Sequence, residues 1–182
     1  TIQALGFLAS NPSPSSGKPV LPALVICPSS VLGNWKNEVE AWLPHLTAGI
    51  YESKGGKAQV PNTDVVMVTH TTCGNETDRL INRFQTIIVD EAHYGKNLYA
   101  PGGSQKKGGK ISVRQLMGLE PLGKVKPASI YTSRTLGIVR MCHSAPHALL
   151  LTGTPIENAG YSELWSQLYA IDPEAFPELK AF

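Results

Sequence analysis

The residues Asp90-Glu91-Ala92-His93 follow directly on the apolar run Thr86–Val89. Two acids at the exit of a buried strand can do specific chemistry. The first can hold a magnesium ion through its waters while the metal bridges nucleotide phosphates. The second, one residue on, points in another direction and can polarise an attacking water. The plainer alternative is a pair of acids capping the next turn, and an isolated Asp-Glu pair does not separate the two.

Three other apolar runs end in small or polar residues. Ala23–Cys27 runs into Pro28-Ser29-Ser30, where a serine can cap the following helix and free backbone N–H groups can receive a phosphate. Val65–Val68 is followed by Thr69 and His70. Ala148–Leu151 ends in Thr152-Gly153-Thr154-Pro155, which is either a plain strand-to-helix turn or part of a site. His45, His143 and His147 show no ligand spacing and are assigned no catalytic role.

The elements that must position these residues can be read from periodicity. Thr1–Ser10 places Ile2, Leu5, Leu8 and Ala9 on one helical face, and Asn11–Pro19 is a Pro/Ser/Gly loop. A helix carrying Val31, Trp35, Val39 and Trp42 stops at Pro44, with both tryptophans read as core. A short strand is expected at Ala48–Tyr51 and a polar helix at Asn75–Arg83. A further helix is expected at Ser129–Cys142 in spite of Gly137, and a last one at Ser162–Ala170 burying Leu164, Trp165 and Leu168. Strands alternating with helices predict an α/β fold, a mostly parallel sheet with helices on both faces in three layers. In such a sheet the four strand exits share one edge, where open α/β proteins bind ligands.

Composition sets the outer bounds. The chain has 182 residues, 42% of them hydrophobic and 16% charged, which suits one domain with a sizeable core and excludes a wholly disordered chain. No apolar run approaches the length of a membrane span, and no secretory leader is apparent. Cys27, Cys73 and Cys142 are odd in number and far apart, so they read as reduced core thiols rather than a disulfide framework or zinc site. The net charge of +2 hides an asymmetry. Pro101–Lys126 carries six basic residues against Glu120 and is rich in glycine, so residues 98–128 read as a basic insertion. That insertion is either a solvated loop or an auxiliary phosphate-contacting element.

Five segments, taken in order, make a combination that resembles a known family. Thr1-Ile2-Gln3 is similar to the continuation of a Walker A sequence. Leu24–Trp35 is similar to motif Ia, Val65–Thr69 to Ib, Ile87–Asn97 to the Walker B segment, and Leu149–Asn158 with Glu163-Leu164-Trp165 to motif III and the helix behind it. Together they resemble the first, N-terminal, RecA-like P-loop NTPase lobe of the Swi/Snf-type helicase-like ATPases of superfamily two. The Leu164–Leu168 run before Ile171-Asp172-Pro173 is similar to the annealing-helicase branch and its bacterial or phage relatives. Glu157 stands where the family usually has Gln, His70 where it often has Tyr, and Tyr94-Gly95 replaces a basic-aliphatic pair.

The resemblance implies a DNA-stimulated ATPase that moves along double-stranded DNA, with ATP and magnesium as cofactors. It implies magnesium on Asp90 and on the hydroxyl of Thr1, water activation by Glu91, and contact of His93 with the nucleotide or motif III. It further implies coupling through Thr152, Gly153 and Thr154, and DNA contact at Pro28, Ser30, Thr69 and His70. A second RecA-like lobe and DNA-bound protein targets are the implied partners. No membrane is implied, and the location would be the cytoplasm or nucleoid in a bacterium or phage and the nucleus in a eukaryote.

On this reading residues 1–182 are a partial lobe lacking the Walker A Gly-Lys, a fragment expected to bind ATP poorly and hydrolyse none. Gly118–Lys124 satisfies GxxxxGK, but Val125 replaces the required hydroxyl, no buried strand precedes it and Pro127 disrupts the helix that should follow. The alternatives are a catalytically inactive DNA-binding remnant or docking module, and an RNA helicase sharing the DEAH residues. Intact Asp90 and Glu91 weigh against the first. Asn34-Trp35 and Glu163-Leu164-Trp165 weigh against the second.

Overall fold

The computed structural model describes residues 1–12, 17–53, 58–95, 133–156 and 162–176. The basic insertion, the Gly118–Lys124 sequence, Lys96-Asn97 and Glu157-Asn158 lie outside the described residues, as does the start expected for the Ser129–Cys142 helix.

Five strands form one parallel sheet: β1 Ala23–Cys27, β2 Ala48–Ile50, β3 Val65–Thr69, β4 Thr86–Asp90 and β5 His147–Leu151, in the order β2-β3-β1-β4-β5. The helices are α1 Ile2–Ala9 before β1, α2 Leu32–Trp42, α3 His70–Asn75, α4 Thr77–Leu80 and α5 Ser133–His143 between strands, and α6 Ser162–Ile171 after β5. β1, β3 and β4 read as continuous apolar runs because both of their faces are covered. Ala23, Val25, Cys27, Val65, Met67 and Ile88 pack against Ala4, Leu5 and Leu8 of α1 and Trp35 and Val39 of α2. The alternate residues Leu24, Ile26, Val66, Val68, Ile87 and Val89 face Cys73, Leu80, Ile138, Met141, Trp165 and Tyr169 on the other side. The period-2 alternation thus divides the core into two layers of side chains, as the three-layer expectation requires. β5 is half-buried along its whole length, being, like β2, an edge strand among the described residues.

Several local expectations are corrected. The polar helix expected at Asn75–Arg83 starts earlier, where the Thr69 side chain accepts the Thr72 N–H and caps α3, and breaks into two at Glu76. Neither Ser29 nor Ser30 caps α2; residues Ser29–Val31 form a 3₁₀ turn and Val31 is the N-cap. Trp42 is not core: it lies at the last turn of α2, 62% exposed, with its indole N–H on Glu38, while Leu43 is buried. Ile2 is likewise exposed, and Ala4 takes its place on the buried face of α1. On α6, Trp165 and Tyr169 are buried while Leu164 and Leu168 are half-buried.

Among the described residues no helix is long and apolar enough to cross a membrane. The thiols of Cys27, Cys73 and Cys142 are all free and buried. Burial pushes those of Cys27 and Cys142 up to about 12, the charge of Asp90 adding to the effect at Cys27, and raises that of Cys73 as well.

Gly137 has a packing reason that helical periodicity cannot reveal. A Cβ there would lie 2.6 Å from Gly74 Cα and 2.8 Å from Thr77 Oγ1, and a Cβ on Gly74 would lie 2.6 Å from the Ser133 carbonyl oxygen. The two glycines let α3 and α5 touch backbone to backbone. Gly137→Ala should therefore lower stability by about 1–3 kcal/mol through overpacking, despite gaining roughly 1 kcal/mol of helix propensity. A denaturation midpoint at or above that of the parent would show that the two helices have room to spare.

Candidate functional site at the strand exits

The parallel register determines what meets at the sheet's carboxyl edge. Cys27 pairs with Thr69, Ile26 with Val89, and Asp90 with Leu151. The exits Pro28-Ser29, His70, Asp90-Glu91 and Thr152-Gly153 consequently lie at one level, side by side. From β1 the chain goes first to β2 at the edge, returns to β3 between them, then crosses to the other side of β1 for β4 and β5. Its reversal of direction falls at the β1/β4 junction, where crevices open in sheets of this kind. α1 runs antiparallel to the strands, since Phe7 near its end meets His147 at the start of β5, ring centroids 5.4 Å apart. Thr1 therefore points toward the same edge, and its side chain makes no capping bond.

Asp90 is held on every side. Trp35 Nε1 donates to Oδ2 at 2.8 Å, the Glu91 N–H donates to Oδ1 at 3.1 Å, and His70 Nε2 lies 2.9 Å from the Asp90 carbonyl. A carbonyl only accepts, so His70 carries its hydrogen on Nε2. The backbone then turns sharply, with Glu91 at φ +50°. That left-handed conformation is uncommon for a residue with a side chain and is a form of strain that concentrates at functional sites. It aims the two neighbouring carboxylates in different directions, so they can take different tasks.

His93 joins the acids to the β5 exit. Its Nδ1 lies 3.2 Å from Glu91 Oε2 and 3.1 Å from Thr152 Oγ1. A carboxylate can only accept, so the tautomer with hydrogen on Nδ1 serves both neighbours. Thr152 Oγ1 in turn accepts the Thr154 N–H at 3.2 Å. The Tyr94 ring stacks on His93, with centroids 4.7 Å apart, and also leans on His70 at 5.3 Å.

Beside the acids, a cavity of about 240 Å³ is lined by Cys27, Pro28, Ser29, Thr69, His70, Thr71, Tyr94 and Arg134. The Arg134 guanidinium lies 5.9 Å over the Tyr94 ring and donates to Thr71 Oγ1 at 3.3 Å. A cation, hydroxyls and an aromatic edge around a shallow opening suit an anion such as a phosphodiester.

The structure brings Asp90, Glu91, His93, Thr152 and Thr154 into one cluster and places Pro28 and Thr69 at the neighbouring cavity. Two residues expected at a DNA surface sit differently. His70 is only 4% exposed and turns its ring inward to brace Asp90, and the Thr69 hydroxyl is engaged as a helix cap. Ser30 and Gly153 are exposed at the edge. Trp35 and Arg134 were not legible as site residues. Trp35 looked like core from its spacing, and Arg134 reaches the site from a helix that follows the insertion.

The donor set bears on magnesium. No group of three or more His, Cys, Asp or Glu among the described residues could hold a metal alone. Asp90 spends one lone pair of each oxygen on Trp35 and Glu91, leaving the others free. One fixed carboxylate fits magnesium, which binds through few protein oxygens together with waters and phosphates.

A model of the SNF2-related domain matches residues 1–100. The chain belongs to that family. It is 28% identical over 153 residues to the TATA-binding protein-associated factor mot1 of Aspergillus fumigatus, a match that covers 80% of this chain and 6% of mot1. The ATP-dependent DNA helicase DDM1 of Arabidopsis thaliana is 28% identical over 189 residues, covering 97% of this chain and 20% of DDM1. YwqA of Bacillus subtilis is 30% identical over 158 residues, covering 83% of this chain and 13% of YwqA. The Sulfolobus solfataricus SWI2/SNF2 ATPase core in complex with dsDNA has the same fold, with a TM-score of 0.60 at 24% identity over 90% of this chain and 27% of that one. The chain thus spans from 6% to 20% of the length of these relatives.

The buried His70 makes a pH-dependent prediction. Burial pulls its imidazole below the ordinary value of 6.5, against the Asp90 carbonyl, which favours the charged ring. The unfolded chain takes the proton first, so stability tied to the neutral ring is full above about pH 6.5 and is lost as the pH falls below it. Denaturation midpoints should drop on going from about pH 7.5 to about pH 5.5, within that linkage window. His70→Gln cannot titrate and should flatten the drop while starting from a lower value. An unchanged drop in the variant would assign the effect to other groups.

Proposed function

We propose that this chain is part of the N-terminal ATPase lobe of a larger ATP-dependent motor that moves along double-stranded DNA and remodels what is bound there. The observation that carries this reading is the placement of Asp90-Glu91 beside Thr152, with His93 bonded between them, at the carboxyl edge of a parallel sheet. Family membership and relatives described as ATP-dependent helicases support it.

In this reading Asp90 holds magnesium, with the Thr1 hydroxyl offered from the start of α1. Bound there with ATP, the ion neutralises phosphate charge. Glu91, half-exposed and aimed apart from Asp90, orients a water and accepts its proton. His93 keeps Glu91 in that direction and reports its state to Thr152, Gly153 and Thr154. Pro28, Ser30 and the cavity beneath Arg134 face the DNA backbone, Thr69 lining that cavity while its hydroxyl caps α3. Contacts there go to phosphate and carry no sequence information. His70 serves the motor indirectly, by bracing Asp90 rather than touching DNA. A second RecA-like lobe would complete the nucleotide site, and DNA-bound proteins would be the targets. Residues 98–128 would form an insertion within the lobe.

The test is ATP turnover by the full-length protein with and without duplex DNA, and with RNA as the comparison. Duplex DNA should stimulate hydrolysis and RNA should not. Glu91→Gln should cut turnover by at least about a hundredfold, as expected for loss of a general base, while affinity for duplex DNA stays within about twofold, since contacts to the backbone phosphates are untouched. DNA binding without any turnover in the parent would favour a docking module, and stimulation by RNA alone would favour an RNA helicase.

A further inference from the structure

We propose that Trp35 is a positioning residue for the metal-binding carboxylate, acting through its indole N–H on Asp90. This rests on the reading of Asp90 as the magnesium ligand.

Trp35 sits in α2 and Asp90 ends β4, 55 residues apart in the chain, yet Nε1 donates to Oδ2 at 2.8 Å. The indole is 2% exposed and packed among Val25, Cys27, Val39 and Ile88. Packing alone would be satisfied by a phenylalanine. The N–H is the one atom that packing does not need, and a buried donor of this kind requires a partner. Its partner is a carboxylate, which makes the bond charge-assisted. The bond fixes the rotation of the carboxylate about χ2. With Oδ1 turned to the Glu91 N–H, neither oxygen is free to swing when a cation approaches. Loss of an outer partner of this sort typically costs about 10- to 100-fold in metal affinity. α2 also follows directly on the Ser29–Val31 turn, whose first residue lines the cavity. The helix that reaches the metal-binding acid is thus joined without a break to the turn that lines the surface expected to meet DNA.

Two variants of the full-length protein test this. Trp35→Phe removes the N–H and some volume. Replacement of Trp35 by benzothienylalanine, in which sulfur stands for the N–H, removes the donor and keeps the shape. The readout is equilibrium binding of a fluorescent ADP analogue, titrated with magnesium and also measured without it, alongside the melting temperature. The magnesium concentration for half-maximal enhancement should rise about tenfold in both variants, with magnesium-free affinity unchanged. In an Asp90→Asn background the same replacement should produce no further shift.

A purely structural role predicts a lower melting temperature and an unaltered magnesium midpoint, and that outcome in the benzothienylalanine protein overturns the proposal. It leaves the reading of Asp90 intact if the parent still binds ADP more tightly with magnesium. A parent whose ADP affinity ignores magnesium overturns both.

Discussion

Four strands that run parallel and in register must end at one level, and every candidate functional group here depends on that constraint. Had β4 slipped by one residue against β5, Asp90 would no longer face Leu151, and His93 would lose Thr152. The slip would also turn Ile87 and Val89 from one core layer into the other, since side chains alternate faces. The apolar alternation that buries the sheet is thus the same feature that brings the acids to the threonines. Stability and site geometry are not separable in this lobe.

The acids then need a second level of control, because register fixes Cα positions and not the directions of side chains. Two histidines and a tryptophan supply it. His70 holds the backbone carbonyl of Asp90, Trp35 holds its carboxylate, and His93 holds the carboxylate of Glu91. All three come from outside β4: two from the elements that follow β1 and β3, and one from the 3₁₀ turn Ala92–Gly95. The left-handed backbone at Glu91 persists because these contacts surround it.

Much of this was legible in the chain, and the rest was hidden for identifiable reasons. The apolar runs revealed β1, β3 and β4 because strands covered on both faces need no polar residues, and the run Ala148–Leu151 revealed the half-buried β5. The acids, threonines and serines at their ends revealed the edge. Trp35 is core, as its spacing predicts, but hydrophobic periodicity records where a side chain is buried and says nothing about an N–H at its tip. Trp42, seven residues on, shares the same helical phase, but α2 ends there and nothing covers it. His70 looked like a surface residue because it follows a strand exit. In the fold the first turn of α3 folds back over the sheet and carries it inward. Gly137 looked like a defect in a helix because its reason, the Gly74 backbone, lies 63 positions away.

The aromatic rings give the cavity and the acids a common wall. Arg134 lies over Tyr94, Tyr94 stacks on His93, and His93 meets Glu91, so a chain of contacts runs from the cavity to the second acid. An anion in the cavity would compete with the Tyr94 face for the guanidinium, because a full negative charge attracts it more strongly than a ring quadrupole. Drawing Arg134 away would loosen the ring that backs His93. The cation at the cavity is Arg134 of α5, a helix that the paired glycines let pack closely on α3. Close helix packing and the charge at the cavity are therefore linked through a single arginine.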